Sequence, residues 1–218
     1  MIFSFYQVGD TISIEDQLYP LSVCYGDYTN ETLTLSDFNP DINQVGDKVI
    51  FLRFTASWWG PSCAEVPYFD SLHYFFENQP VVIFENIDDL NQPYSCEEWG
   101  AFGEDGIPVL TTDFNSPYFF NLFGHSYTWS VVLGPDMVVK YSSQGSIAGE
   151  VIQNVLNEYE LGPVFGDQNQ DWLVDILDVM QIINLILESN YELSADLNYD
   201  EIVNIQDIII IINIILSE

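Results

Sequence analysis

The sequence predicts a mixed α/β domain followed by a small all-α module built from a duplicated loop and helix. Between residues 49 and 159, short β-rich runs alternate with helical candidates, the pattern of a layered α/β fold. Beyond residue 166 a stretch of 21 residues recurs with a period of 29. "LGPVFGD" (161–167) carries Gly and Pro between the two blocks, and such punctuation marks a connection. The expected organisation is therefore an α/β domain with an N-terminal β extension over 1–160, a linker over 161–165 and the duplicated module over 166–218. At 218 residues, 48% apolar and 15% aromatic, the chain can build a real core and is not disordered by default.

The first 40 residues, with turn signals at Gly26-Asp27 and Asn39-Pro40, read as small antiparallel additions. "VIFLRFTA" (49–56) reads as a buried strand followed by a helix over 62–76. "VVIFENI" (81–87) is a second strand, and 96–102 forms a short helix. "WSVVLGPDMVVKYSSQG" (129–145) gives two strands joined at Gly134-Pro135-Asp136, a hairpin signal. An amphipathic helix over 147–159 closes the domain.

Charge excludes whole classes of partner. Against 34 Asp and Glu stand only Lys48, Arg53 and Lys140, a net charge of −31. Such a field repels nucleic acid and anionic lipid and attracts cations. Apolar runs such as "IIIIINIIL" span nine residues, whereas crossing a membrane takes about 20, so no membrane insertion is expected. The opening "MIFSFYQVGD" has no basic n-region or small-residue cleavage site, so the chain reads as a mature or truncated form without a signal peptide. Cys24, Cys63 and Cys96 allow one disulfide and one spare thiol, too few for a disulfide-stapled scaffold, and they leave the compartment open.

The repeat points to a hard cation. "DQNQDWLVDILDVMQIINLIL" from Asp167 and "DLNYDEIVNIQDIIIIINIIL" from Asp196 agree at 11 of 21 positions, and the chain from Pro163 onward holds 11 acidic and no basic residues. A 12-residue loop can wrap Ca²⁺ with side chains at positions 1, 3, 5 and 12 and a carbonyl at 7. Here those are Asp167, Asn169, Asp171, the Leu173 carbonyl and Asp178, then Asp196, Asn198, Asp200, the Ile202 carbonyl and Asp207. Asp175 or Asn204 at position 9 could act through a water. Simple helix capping by Asp and Asn is the competing reading, but two copies at matching offsets favour two calcium sites. The helices, expected to begin at Asp178 and Asp207, can pack their isoleucine faces together.

This module resembles the dockerin type I family over 166–216. The resemblance implies two bound calcium ions and a protein partner, a cohesin in that family. Two departures stand out: position 6, usually Gly, is Trp172 or Glu201, and positions 10 and 11, often Ser, Thr or basic, are Ile176-Leu177 and Ile205-Gln206. An intramolecular or non-cohesin docking role is equally open.

"TASWWGPSCAEVP" (55–67) resembles the Ala-Ser-Trp-Cys-Gly-Pro-Cys segment, with its following Glu-x-Pro, of the thioredoxin-like family, in particular its extracytoplasmic thiol-disulfide oxidoreductase branch. The resemblance runs over about 45–159, through "IPVLTTD" (107–113) and "FGHSYTWSVVLGPDMVV" (123–139), and implies a thioredoxin-like α/β/α sandwich. In that register Trp59 stands for the attacking cysteine, Ser62 for the resolving one and Thr128 for the cis-proline that faces the site. Exchange needs a thiolate at the open helix end, where the dipole lowers its pKa, and neither Trp nor Ser supplies one. Cys63 lies one residue deeper, about 100° further round the helix, without a resolving partner two residues away. It reads as a buried structural thiol or as disulfide-bonded to Cys96. His73 and His125 have no clustered partners and read as surface or packing residues.

The leading expectation is a secreted, extracellular or periplasmic, redox-inactive thioredoxin-fold protein whose calcium-binding tail serves attachment or assembly. Two alternatives remain at this level: an oxidoreductase or peroxidase variant acting through Cys63 alone, and a non-catalytic peptide-binding groove lined by Trp58, Trp59 and Tyr127.

Overall fold

The computed structural model of the chain describes residues 5–26, 28–77, 79–103, 109–113, 118–124, 127–147, 149–161, 166–169 and 174–217. Two compact units emerge, Met1–Val155 and Leu156–Glu218. The first begins with α1 (Ile14–Gln17), β1 (Leu21–Tyr25), β2 (Thr32–Leu33), a 3-10 turn at Leu35–Phe38 and α2 (Pro40–Asn43). The alternating block follows as β3 (Val49–Ala56), α3 (Gly60–Phe76), β4 (Val81–Asp88), α4 (Cys96–Gly100), β5 (Val109–Thr112), α5 (Tyr118–Phe123), β6 (Trp129–Leu133), β7 (Val139–Gln144) and α6 (Gly149–Glu158).

Seven strands form one mixed sheet in the order β2-β1-β5-β4-β3-β6-β7. At its centre β3 runs parallel to β4, with Phe51 opposite Ile83, and antiparallel to β6, with Phe51 opposite Val132. Every residue of β3 is buried, which is why its sequence reads as a nearly continuous apolar run rather than an alternating one. Period-two geometry still sorts its side chains. Ile50, Leu52 and Phe54 enter a core with Phe119, Phe120 and Phe123 of α5. On the opposite face Phe51 and Arg53 meet Phe69 of α3. Helix α3 answers with a buried stripe at Ser62, Val66, Phe69, Leu72 and Phe76, the spacing of one helical face.

The N-terminal segment does more than add a small hairpin. Strand β1 pairs antiparallel with β2 and also with β5, Val23 lying opposite Thr111, so it extends the main sheet. This placement decides the disulfide. Cys24 on β1 is bonded to Cys96 at the start of α4, their Cα atoms 6.0 Å apart, within the usual range for a disulfide. Of the two readings for Cys63, the bond to Cys96 is thereby corrected: Cys63 is a free, half-buried thiol packed against the same apolar cluster as Cys24 and Cys96. The pairing of β1 with β5 spans most of a domain in sequence, and no local pattern announces it.

In the second unit, α7 (Ile176–Glu188) and α8 (Ile205–Ser217) flank a 3-10 turn at Leu193–Ala195. Val179 and Ile182 of α7 meet Ile208 and Ile211 of α8 in a core completed by Val174, Ala195 and Leu197. Each helix starts two residues earlier than expected, at Ile176 and Ile205, because the position-9 side chain caps it. Asp175 Oδ1 accepts from Leu177 N at 2.7 Å while Asp178 Oδ2 accepts from Asp175 N at 2.9 Å. Asn204 and Asp207 repeat the pattern, each at 2.8 Å. These are capping boxes. Gly166 takes φ +96°, a left-handed conformation that suits glycine, and a Cβ there would press on Val174 at 3.2 Å. Among the described residues no helix is long and apolar enough to cross a membrane.

Candidate functional site

At the turn from β3 into α3, Trp59 occupies the N-cap position of the helix and offers no side-chain cap. Its backbone N–H donates to Ala56 O at 3.0 Å, and its carbonyl accepts from Ser62 N at 3.0 Å. Ser62 is fully buried, and its hydroxyl lies 3.1 Å from that of Thr128. The Tyr127–Thr128 peptide is cis. Ser62 and Thr128, 66 residues apart in sequence, are thus in contact, with Trp59 at the adjacent helix end. A buried hydroxyl–hydroxyl pair thus lies at the start of α3.

Cys63 points elsewhere. Its Sγ is 3.9 Å from Trp59 O, and the side chain packs on the cluster of Val66, Ile87, Trp99 and Leu110. Burial pushes its thiol up; the guanidinium of Arg53 opposes this and the Glu85 carboxylate adds to it. A raised pKa leaves little thiolate at neutral pH. We expect iodoacetamide to label Cys63 at pH 7 several-fold more slowly than an unstructured cysteine peptide, with the rate rising as pH passes above the ordinary thiol range. Labelling as fast as the peptide's would restore Cys63 as a nucleophile. His73 is partly buried on α3, and burial lowers its pKa; His125 lies outside the described residues.

Two groupings here escaped the sequence reading. Beneath α3, fully buried Arg53 pairs with Glu65 and, at 3.2 Å, with Glu85, and its guanidinium lies 3.9 Å from the centre of the Phe69 ring. A lone arginine in an apolar strand of a chain with three basic residues was the available signal. Beside the turn, Trp58 Nε1 donates to Asp89 Oδ2 at 2.8 Å and the Tyr127 hydroxyl donates to Asp88. Burial, then the bond to Asp88, pushes the Tyr127 phenol far up.

In the second unit, the acidic loops fold around backbone N–H groups. Asp207 Oδ1 accepts from Leu197 N at 2.8 Å and Asn198 N at 3.3 Å, and Asp178 Oδ1 accepts from Gln168 N at 2.7 Å and Asn169 N at 3.1 Å. Asp196 accepts from Asp200 N at 3.1 Å and Glu201 N at 2.7 Å. Asn198 Nδ2 donates to Asp200 at 2.9 Å, and the Ile202 carbonyl accepts from Asn204 at 3.2 Å. Gln168 and Ser194 tie the loops together through bonds of 2.6 and 3.2 Å. Asp167 is buried; Asp171 and Leu173 lie outside the described residues. Among the described residues no three His, Cys, Asp or Glu are gathered as a metal cluster. The chemistry of the donor set still fits a hard cation. Asp167, Asp178, Asp196 and Asp207 are all buried in a unit that contains no Lys or Arg, and a buried carboxylate without a countercharge is costly.

Residues 165–216 match the dockerin type I domain. The first unit has a thioredoxin-like fold. Its sheet and helices superpose on a protein described as the thiol:disulfide interchange protein DsbE of Chlorobium tepidum with a TM-score of 0.51 at 15% identity, over 70% of this chain and 97% of that one. MTB dsbF, in its mixed oxidized and reduced forms, gives 0.50 at 12% identity, over 68% of this chain and 98% of that one. At these identities the likeness is one of fold. A search among curated proteins finds no match to the sequence. The chain thus joins a unit of thioredoxin-like fold to a segment that matches the dockerin type I domain.

Proposed function

We propose that this protein is an extracellular or periplasmic thioredoxin-fold module that no longer exchanges disulfides and is carried by a calcium-binding tail that attaches it to a protein partner. The observation that carries the first half is the Ser62–Thr128 contact at the helix end behind Trp59, which leaves no sulfur where exchange takes place. The Cys24–Cys96 bond supports placement outside the cytosol, since structural disulfides persist in oxidising compartments. Asp196, Asn198, Asp200, the Ile202 carbonyl and Asp207 would hold one calcium ion, and Asp167, Asn169 and Asp178, with Asp171 and Leu173, the other. The cation would neutralise carboxylates that the fold buries. Attachment falls to aliphatic side chains left exposed in both repeats: Ile176, Met180 and Leu187 on α7 and, 29 residues later, Ile205, Ile209 and Leu216 on α8. Aliphatic positions 10 of each loop, Ile176 and Ile205, belong to these stripes and favour an apolar partner surface.

The redox half is tested on the full chain. Insulin reduction should not exceed the uncatalysed background, whereas turnover abolished by Cys63→Ser would establish the one-cysteine enzyme instead. Restoring both sulfurs with Trp59→Cys and Ser62→Cys should yield a readily formed disulfide, because Gly60 and Pro61 still set the helix start. Catalysis by that variant should stay weak while Thr128 remains. Failure of the two new cysteines to oxidise to each other would show that positions 59 and 62 are not the exchange positions.

A further inference from the structure

The β3–α3 turn carries an exposed aromatic surface. Trp58 and Trp59 are adjacent and 47% and 37% exposed, an arrangement that loses hydrophobic stabilisation unless something covers it. Trp58 stands 5.6 Å from both Trp59 and Tyr127, nearly perpendicular to each at 86° and 82°. The rings are held in place. Tyr127 stacks on Phe120 at 4.9 Å, while Asp89 anchors the Trp58 indole and Asp88 the Tyr127 hydroxyl.

We propose that Trp58, Trp59 and Tyr127, with Asp88 and Asp89 at their edges, form a binding site for a cationic side chain, a lysine or arginine presented by a partner protein. Indole is the ring that attracts cations most strongly. An ionised carboxylate accepts up to about four hydrogen bonds, so both aspartates keep capacity for an incoming ammonium or guanidinium. An aliphatic side chain would instead have to desolvate these carboxylates without replacing their hydration. The net charge of −31 raises the local concentration of cations and turns away anionic partners. This site goes beyond the attachment role of the tail and gives the thioredoxin-like unit a ligand of its own.

The test follows the indole N–H resonances of the full chain by NMR during titration with three neutral-ended pentapeptides, Gly-Gly-X-Gly-Gly, in which X is lysine, arginine or norleucine. The lysine and arginine peptides should shift the Trp58 and Trp59 signals and bind about tenfold more tightly than the norleucine peptide. Followed through its backbone amide resonances, since it lacks those indole signals, Trp58→Leu with Trp59→Leu, which leaves the net charge unchanged, should lose that preference, and Asp89→Asn should weaken it. Equal binding of norleucine by the native protein would make the face an ordinary apolar groove. Undiminished lysine binding by the double leucine variant would reduce the effect to the diffuse field of the chain. No shift with any peptide overturns the site outright. None of these outcomes depends on thiol chemistry or calcium, so the result is separable from the test of the proposed function.

Discussion

Calcium is expected to convert the tail from a loosely held to a protease-resistant state while the sheet unit stays folded in chelator. Each loop carries three aspartates in its sequence, Asp167, Asp171 and Asp178 in the first and Asp196, Asp200 and Asp207 in the second, and without a cation their repulsion would oppose closure around a common centre. Backbone N–H groups hold Asp196 and Asp207, but they bring no countercharge. A divalent ion would supply it, locking the loops so that Val179 and Ile182 stay packed on Ile208 and Ile211. We expect gained helix in circular dichroism and slowed proteolysis within residues 166–218, with a dissociation constant on the order of 10⁻⁵ to 10⁻³ M. Asp167→Ala with Asp196→Ala should remove the response. Glu201, at the sixth position of the second loop, takes φ +64°, a conformation that costs a non-glycine residue about 1 kcal/mol or more. Glu201→Gly should therefore tighten that loop's calcium binding several-fold. A calorimetric trace without calcium heat, together with a spectrum indifferent to chelator, would return the repeat to two capped helices.

Removing Arg53 is expected to be the most damaging single change in the sheet unit. The guanidinium is fully buried between Glu65 and Glu85, and Glu85 is itself 1% exposed. Arg53→Met would leave Glu85 with the Trp99 indole at 3.4 Å and the half-buried Glu65 without its partner in the cluster. Truncating one member of a buried ion pair costs about 3–5 kcal/mol, because the remaining charge stays desolvated. For a unit of this size that corresponds to a fall in melting temperature of roughly 10 °C. Exchanging both partners, Arg53→Met with Glu85→Leu, should recover most of the loss, since an apolar pair carries no uncompensated charge. Urea denaturation of the calcium-loaded chain measures both. An Arg53→Met variant within 1 kcal/mol of the native protein would show that the buried pair contributes little to stability.

Much of the chain was legible because its information is local. A nearly continuous apolar run announced β3, and its observed limits, Val49–Ala56, are those expected. Gly134-Pro135-Asp136 announced the β6–β7 hairpin, and the period of 29 announced α7 and α8. The helix starts were misplaced by two residues because whether Asp175 or Asp178 caps depends on side-chain geometry, and both residue types suit either role. Acidic loops could be recognised as cation-seeking from residue type and spacing alone, since oxygen donors at fixed offsets are a property of the string.

What only tertiary structure decided lies between residues distant in sequence. Pairing of β1 with β5 brought Cys24, rather than Cys63, to Cys96; with three cysteines, spacing is silent and proximity chooses. The burial of Ser62 against Thr128, of Arg53 against Glu85 and of the Tyr127 hydroxyl against Asp88 likewise joins positions 66, 32 and 39 residues apart. By itself the sequence determined β3, α3, β4, the β6–β7 hairpin, the duplicated helices and the acidic composition of their loops, because each is written in neighbouring residues. Partners, burial and the aspartates that hold Trp58 and Tyr127 came from chain closure, because free energies of contact depend on distances in space that no local pattern encodes.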